Sequence, residues 1–77
     1  MKVLAYLKTP LYRSRHAKDG GLEGNVISIR GKAEARDGGL DITINELRDE
    51  RDQKVEAPFK RLFLPLGKID YYVIEDA

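Results

Sequence analysis

Cysteine is absent from the 77-residue chain. That removes a disulfide framework and any thiolate metal site. Histidine occurs once, at His16, and serine only at Ser14 and Ser28, so a nucleophile paired with a base has little to draw on. No nucleophile-elbow pattern surrounds these residues. His16 and Asp19 offer two metal ligands, but the neighbouring arginines oppose a cation. No Gly-rich stretch matches a dinucleotide or P-loop pattern. The carboxylates lie in charge-balanced runs, as on a solvated face, rather than in the isolated pairs of acid–base catalysis. No apolar run approaches a membrane span, and residues 3–7 are too short for a secretory core. Net charge is nearly missing too, with 14 basic against 13 acidic residues leaving +1. A non-specific nucleic-acid binder is usually basic overall, although a local basic face acts over about a Debye length. These absences point to a cytoplasmic protein that is not an enzyme, holds no cofactor or metal and does not engage a membrane.

What is present is one domain over residues 1–77. A chain this short builds a small core and often relies on oligomerisation. The apolar weight is concentrated in residues 59–74, which hold both phenylalanines and two of the four tyrosines. Pro65 cannot donate to a ladder, and Pro65-Leu66-Gly67 reads as a corner. Beyond it, Tyr71-Tyr72-Val73-Ile74 is strongly β-favouring. Alternation places Ile69, Tyr71 and Val73 on one face and Asp70, Tyr72 and Ile74 on the other.

Upstream, residues 2–8 read as a strand interrupted at Thr9-Pro10, with Leu11 and Tyr12 continuing after a bulge. Arg13, Arg15, His16 and Lys18 form a basic loop that closes on the flexible Asp19-Gly20-Gly21 turn. A long strand covers 22–35, with Leu22, Gly24, Val26 and Ser28 on one face and Ile27 and Ile29 on the other. Gly24 and Gly31 inside it imply a sharp bend or bulge. Asp37-Gly38 is a hairpin signal. In the strand at 40–47, Leu40, Ile42 and Ile44 point inward, while Asp41, Thr43 and Asn45 point out. Residues 46–54 are almost wholly charged. They read either as the tip of a long hairpin, favoured by the flanking strands, or as a short helix in which Arg48 and Asp52 pair at i,i+4. Strands at 55–65 and 68–74 complete the set.

The expected class is therefore all-β: a small five-stranded, SH3-like barrel of strongly bent antiparallel strands. An α+β domain of ferredoxin-like kind, with a helix at 45–56, is the competing arrangement. Lys60, Arg61 and Lys68 lie close in sequence to Tyr71 and Tyr72, a combination that suits stacking with cationic rims. Equally, one ring could be core and the lysines merely solvated. With Arg36 beside the hairpin turn, the candidate nucleic-acid contacts are Arg36, Arg61, Lys68 and Tyr72, with Tyr71 the alternative stacking ring.

The layout from residue 22 to 74, and the local run Leu66-Gly67-Lys68-Ile69-Asp70-Tyr71-Tyr72-Val73, resemble the Sm-like (LSm) small β-barrel family, in which a glycine precedes an Ile or Val strand. The resemblance implies a curled five-stranded sheet, a homo-oligomer joined through edge strands, and binding of RNA or single-stranded DNA. The residues themselves leave open a second reading, a protein-interaction module that uses sheet edges and binds no nucleic acid. The apolar load of 59–74 exceeds what one face can bury, which independently calls for a partner copy.

Overall fold

The computed structural model describes residues 1–11, 26–57 and 59–76. Six strands follow in order: β1 (Lys2–Leu11), β2 (Val26–Arg36), β3 (Gly39–Asp49), β4 (Lys54–Val55), β5 (Arg61–Pro65) and β6 (Ile69–Ile74). A single 3₁₀ turn, Leu66–Lys68, joins β5 to β6. All pairings are antiparallel, in the order β4-β3-β2-β1-β6, with β5 also on β3. β2 occupies one side of β3 along its length, so β4 and β5 share the other side end to end. The chain is a small all-β fold, and no α-helix occurs among the described residues.

β5 and β6 thus lie on opposite edges of the sheet, yet only a three-residue turn separates them. Four strand spacings in a flat sheet would put them about 19 Å apart. The step from Pro65 to Ile69 covers at most about 14 Å even fully extended. The sheet must curl, and it does so without a ladder between β5 and β6, so it is not closed by hydrogen bonds. The turn is pinned to the β2–β3 hairpin, where the Leu66 amide donates to the Gly38 carbonyl at 2.9 Å.

Bulges supply the curvature. Opposite β2, Glu46 pairs with Arg30 but Ile44 with Gly31, which leaves Asn45 as an extra residue in β3. In β6, Asp70 is extra between the pairs Leu7–Ile69 and Tyr6–Tyr71. β1 shifts register between Tyr6 and Leu11, around the expected Thr9-Pro10 interruption. At the β3 bulge the strands approach so closely that a Cβ on Gly31 would stand 2.1 Å from the Thr43 carbonyl oxygen. In the hairpin at 37–38 only Gly38 takes a positive φ, of 82°.

These bulges overturn two face assignments. Val26 and Ile29 both enter the core, because β2 gains a residue between them relative to β3. Ile69 does not share a face with Tyr71. The extra Asp70 turns Ile69 inward beside Leu7, and Tyr72 also packs on the core, opposite Ala5. Alternation holds where pairing is regular: Leu40 and Ile42 are buried, and Ile44 packs against the core. The expected strand 55–65 is instead two short strands, β4 and β5, separated by residues 56–60. That interval contains Pro58, whose nitrogen carries no hydrogen for a ladder bond. Residues 22–25 and the basic loop lie outside the described residues.

The charged run at 46–54 forms a hairpin. Asp49 Oδ1 accepts from the amides of Arg51 at 2.9 Å and Gln53 at 3.0 Å. Asp52 adopts φ 62°, a left-handed conformation that Asp tolerates. Arg48 Nη1 donates to the Asp52 carbonyl at 2.6 Å and stands 3.5 Å from its carboxylate. The i,i+4 pair that seemed to favour a helix is made by the hairpin instead.

Gly31→Ala forces the Thr43 backbone away and should cost about 2 kcal/mol, roughly 10 °C in Tm for a domain of this size. Gly67→Ala meets nothing within 4 Å and should leave Tm near wild type. Thermal unfolding followed by circular dichroism tests the pair; equal Tm values for the two variants would contradict the close-approach account.

Candidate nucleic-acid and assembly surface

Directly paired residues share a face of a sheet, so the registers place the charged side chains. Asp41 on β3 sits between Glu34 on β2 and Phe63 on β5, on the solvent side. Two of the expected contacts converge on it. Arg61 clamps the Asp41 carboxylate with both Nε, at 2.8 Å, and Nη2. Arg36 Nη2 donates to Glu34 Oε2 at 2.6 Å, and its Nε lies 3.9 Å from Asp41 Oδ2. The Arg61 hydrogen bond holds the Asp41 carboxyl below its ordinary range and raises the guanidinium in turn. Two cations and two carboxylates sum to zero, so this patch offers donors and aromatic surface rather than net positive charge.

The other two expected contacts lie elsewhere. Lys68, on the 3₁₀ turn, donates from Nζ to Thr9 Oγ1 at 2.6 Å and reaches the Pro10 carbonyl at 3.4 Å. It ties the turn to the end of β1. Tyr72 is half-buried against the core. The exposed ring is Tyr71, at 55 %, tilted against Tyr6 with centroids 4.8 Å apart. Sequence reasoning missed Tyr6 as a member of this pair, because only the β1–β6 register brings it across from Tyr71.

Apolar exposure is sharply localised. Apart from Met1, the large hydrophobic side chains with substantial exposure among the described residues are Phe63, Leu66, Tyr71, Val73 and Ile74. All belong to β5, the 3₁₀ turn or β6. No described strand pairs the outer edge of either strand. The surplus apolar load expected of residues 59–74 is therefore present, concentrated along the two edges.

Two hollows flank β3. One, of about 300 Å³, opens where β4 and β5 part, between Asn45, Lys54, Phe59 and Lys60. The other, of about 370 Å³, lies on the outer face beside Tyr6, Ser28, Arg30 and Arg48. The arginines of the second are engaged. Arg30 grips both Glu75 oxygens, at 3.0 and 3.2 Å, and reaches Glu46 at 3.4 Å. Arg48 Nε donates to Glu46 at 2.6 Å, and Lys54 lies 3.7 Å from the same carboxylate. The Arg48 hydrogen bond is the main cause holding the Glu46 carboxyl below its usual range. Among the described residues no three His, Asp or Glu side chains converge to hold a metal ion, and no helix is long and apolar enough to cross a membrane. His16 and Asp19 lie outside the described residues.

Asp41 and Glu46 both have folded values depressed below their unfolded ones. Each contributes stability above its unfolded value and loses it as the pH falls through the folded value, which here means below about pH 4. The pairs are exposed, so the loss should be small and weaker at high salt. Urea midpoints compared at pH 6 and pH 3 should fall on acidification, and the fall should shrink in Arg61→Gln with Arg48→Gln. An unchanged acid limb in that double variant would refute the assignment.

No protein-family model matches the chain, and no curated protein or solved structure matches it either.

Proposed function

We propose that the chain is a self-assembling β module of Sm-like kind, whose curled sheet acts as a small barrel, whose β5–β6 unit joins copies edge to edge, and which binds RNA or single-stranded DNA. The observation that carries this reading is the coincidence, among the described residues, of unpaired edges and exposed apolar side chains on the same two strands. Unpaired ladder groups on a long edge recruit another strand unless blunted by charge or proline. β6 carries only Asp70 as a charge, and its Val73 and Ile74 are 45 % and 49 % exposed. A small isolated core gains most from such a partner.

The nucleic-acid half of the reading is supported by the exposed Tyr71 ring, braced by Tyr6, and by the exposed guanidinium groups of Arg36 and Arg61. A base can stack on the ring while guanidinium groups meet phosphates. A second reading, assembly with another protein and no nucleic acid, is favoured by the neutralisation of Arg36 and Arg61 by Glu34 and Asp41.

Light scattering at micromolar concentration should find the wild type oligomeric. Val73→Asp with Ile74→Asp should give monomers, and Asn45→Asp, outside β5 and β6, should not. A monomeric wild type would sink the assembly reading. Short single-stranded oligonucleotides should bind at low salt, with affinity falling as salt rises. If none binds while the oligomer persists, the protein-only reading takes its place.

A further inference from the structure

We propose that Lys2 and Lys32, with the Thr43 hydroxyl beside them, form a phosphoryl-anion site on the outer face of the sheet. The register puts Lys2 directly opposite Lys32, Lys32 opposite Thr43, and Thr43 opposite Arg61. Directly opposed residues share a face, so the four side chains form one row across β1, β2, β3 and β5. At about 4.8 Å per strand the row is about 14 Å long. All four residues are exposed.

Like charges directly opposite one another destabilise a sheet. The described registers hold two further such pairs, Glu34 opposite Asp41 and Arg48 opposite Lys54, and there the charges are compensated: Glu46 lies 2.6 Å from Arg48 and 3.7 Å from Lys54. Arg36 bonds Glu34, and Arg61 clamps Asp41. The lysine pair has no equivalent. Among the described residues neither ammonium makes an ion pair or side-chain hydrogen bond. The carboxylate that follows β6 beside Lys2, Glu75, is held by Arg30 through both oxygens.

Nor can the pair relax by fraying. Lys2 is locked between two strands: the Ala33 amide donates to the Met1 carbonyl, and the Glu75 amide donates to the Lys2 carbonyl, each at 2.7 Å. Two ammonium groups carried on paired strands and a hydroxyl match the several acceptor oxygens and the charge of a phosphoryl group, for which Lys serves as a point-charge ligand. None of these three residues is among the contacts expected from the sequence. Only the polymer form of the ligand rests on the nucleic-acid reading above; the anion site stands on the lysine pair.

The test uses the whole chain and two probes. Inorganic phosphate, titrated at constant ionic strength against chloride, should give saturable amide shifts at Lys2, Lys32 and Thr43. It should also raise Tm by linkage. Lys2→Gln with Lys32→Gln should abolish both responses, and Lys32→Gln alone should raise Tm in low-salt chloride by removing the repulsion. Lys2→Glu, which pairs with Lys32, should likewise be insensitive to phosphate. Equal phosphate responses in wild type and the double variant, or no saturable shift in wild type, overturn the site. With a short single-stranded oligonucleotide, the double variant should lose about 0.7 in salt slope per phosphate contact removed. An unchanged slope excludes the polymer as the ligand of the pair. A phosphate response without oligonucleotide binding supports the site with free phosphate as its ligand, and defeats only the nucleic-acid reading.

Discussion

A three-residue connection between the two outermost strands constrains everything else in this protein. Pro65 and Ile69 end strands on opposite edges, so the intervening strands must bend until those edges come near each other. The bending is absorbed at a few points. Asn45 and Asp70 are inserted as bulges, and Gly31 lets β3 approach within a distance that no side chain would permit. Gly39 does the same for β5, since a Cβ there would meet the Leu64 carbonyl oxygen at 2.2 Å. Curvature in this sheet is thus a product of backbone spacing and local insertions.

The same curl divides the side chains into an inner set and an outer set. Inside, eleven buried apolar residues from β1, β2, β3, β5 and β6 meet in one cluster. Outside, arginines and carboxylates alternate across strands. Arg30, Glu46 and Arg48 knit β2 and β3, and Arg30 extends the network to Glu75 beyond β6. Arg61 and Asp41 tie β5 to β3. Pairs as exposed as these contribute modestly to stability. Their larger consequence is that most arginines on this face are neutralised, which leaves the opposed lysines of β1 and β2 electrostatically distinct.

Exposure of apolar side chains follows from connectivity as well. Among the described residues β6 is paired on one side only, and β5 likewise. Tyr71 and Val73 point away from the core because Asp70 has shifted the phase, and no further layer covers them among the described residues. Tyr6 gives Tyr71 a neighbour, so one flank of the ring is used and the remainder faces solvent.

Much of the architecture was legible in the sequence because it depends on local chemistry. The alternation of Leu40, Ile42 and Ile44, the Asp37-Gly38 turn, the charged hairpin at 46–54 and the corner after Pro65 each rest on residues close in the chain. Proline, glycine and side-chain period act at that range. The apolar residues of 55–65 mask the break between β4 and β5. The phase of β2 and β6 is hidden from the sequence because a bulge has no side-chain signature of its own: Ile27 and Asp70 are extra only relative to a partner strand. Arg36 and Arg61 were legible as cations, but their shared partner Asp41 required the β3–β5 register. That Tyr72 faces the core and Tyr71 the solvent likewise depends on the β1–β6 register. The sequence by itself determined an all-β chain with its turns, its apolar 59–74 segment and its balanced charge. Tertiary structure alone decided which residues oppose one another, because strand register is a relation between distant segments, and one inserted residue exchanges the two faces.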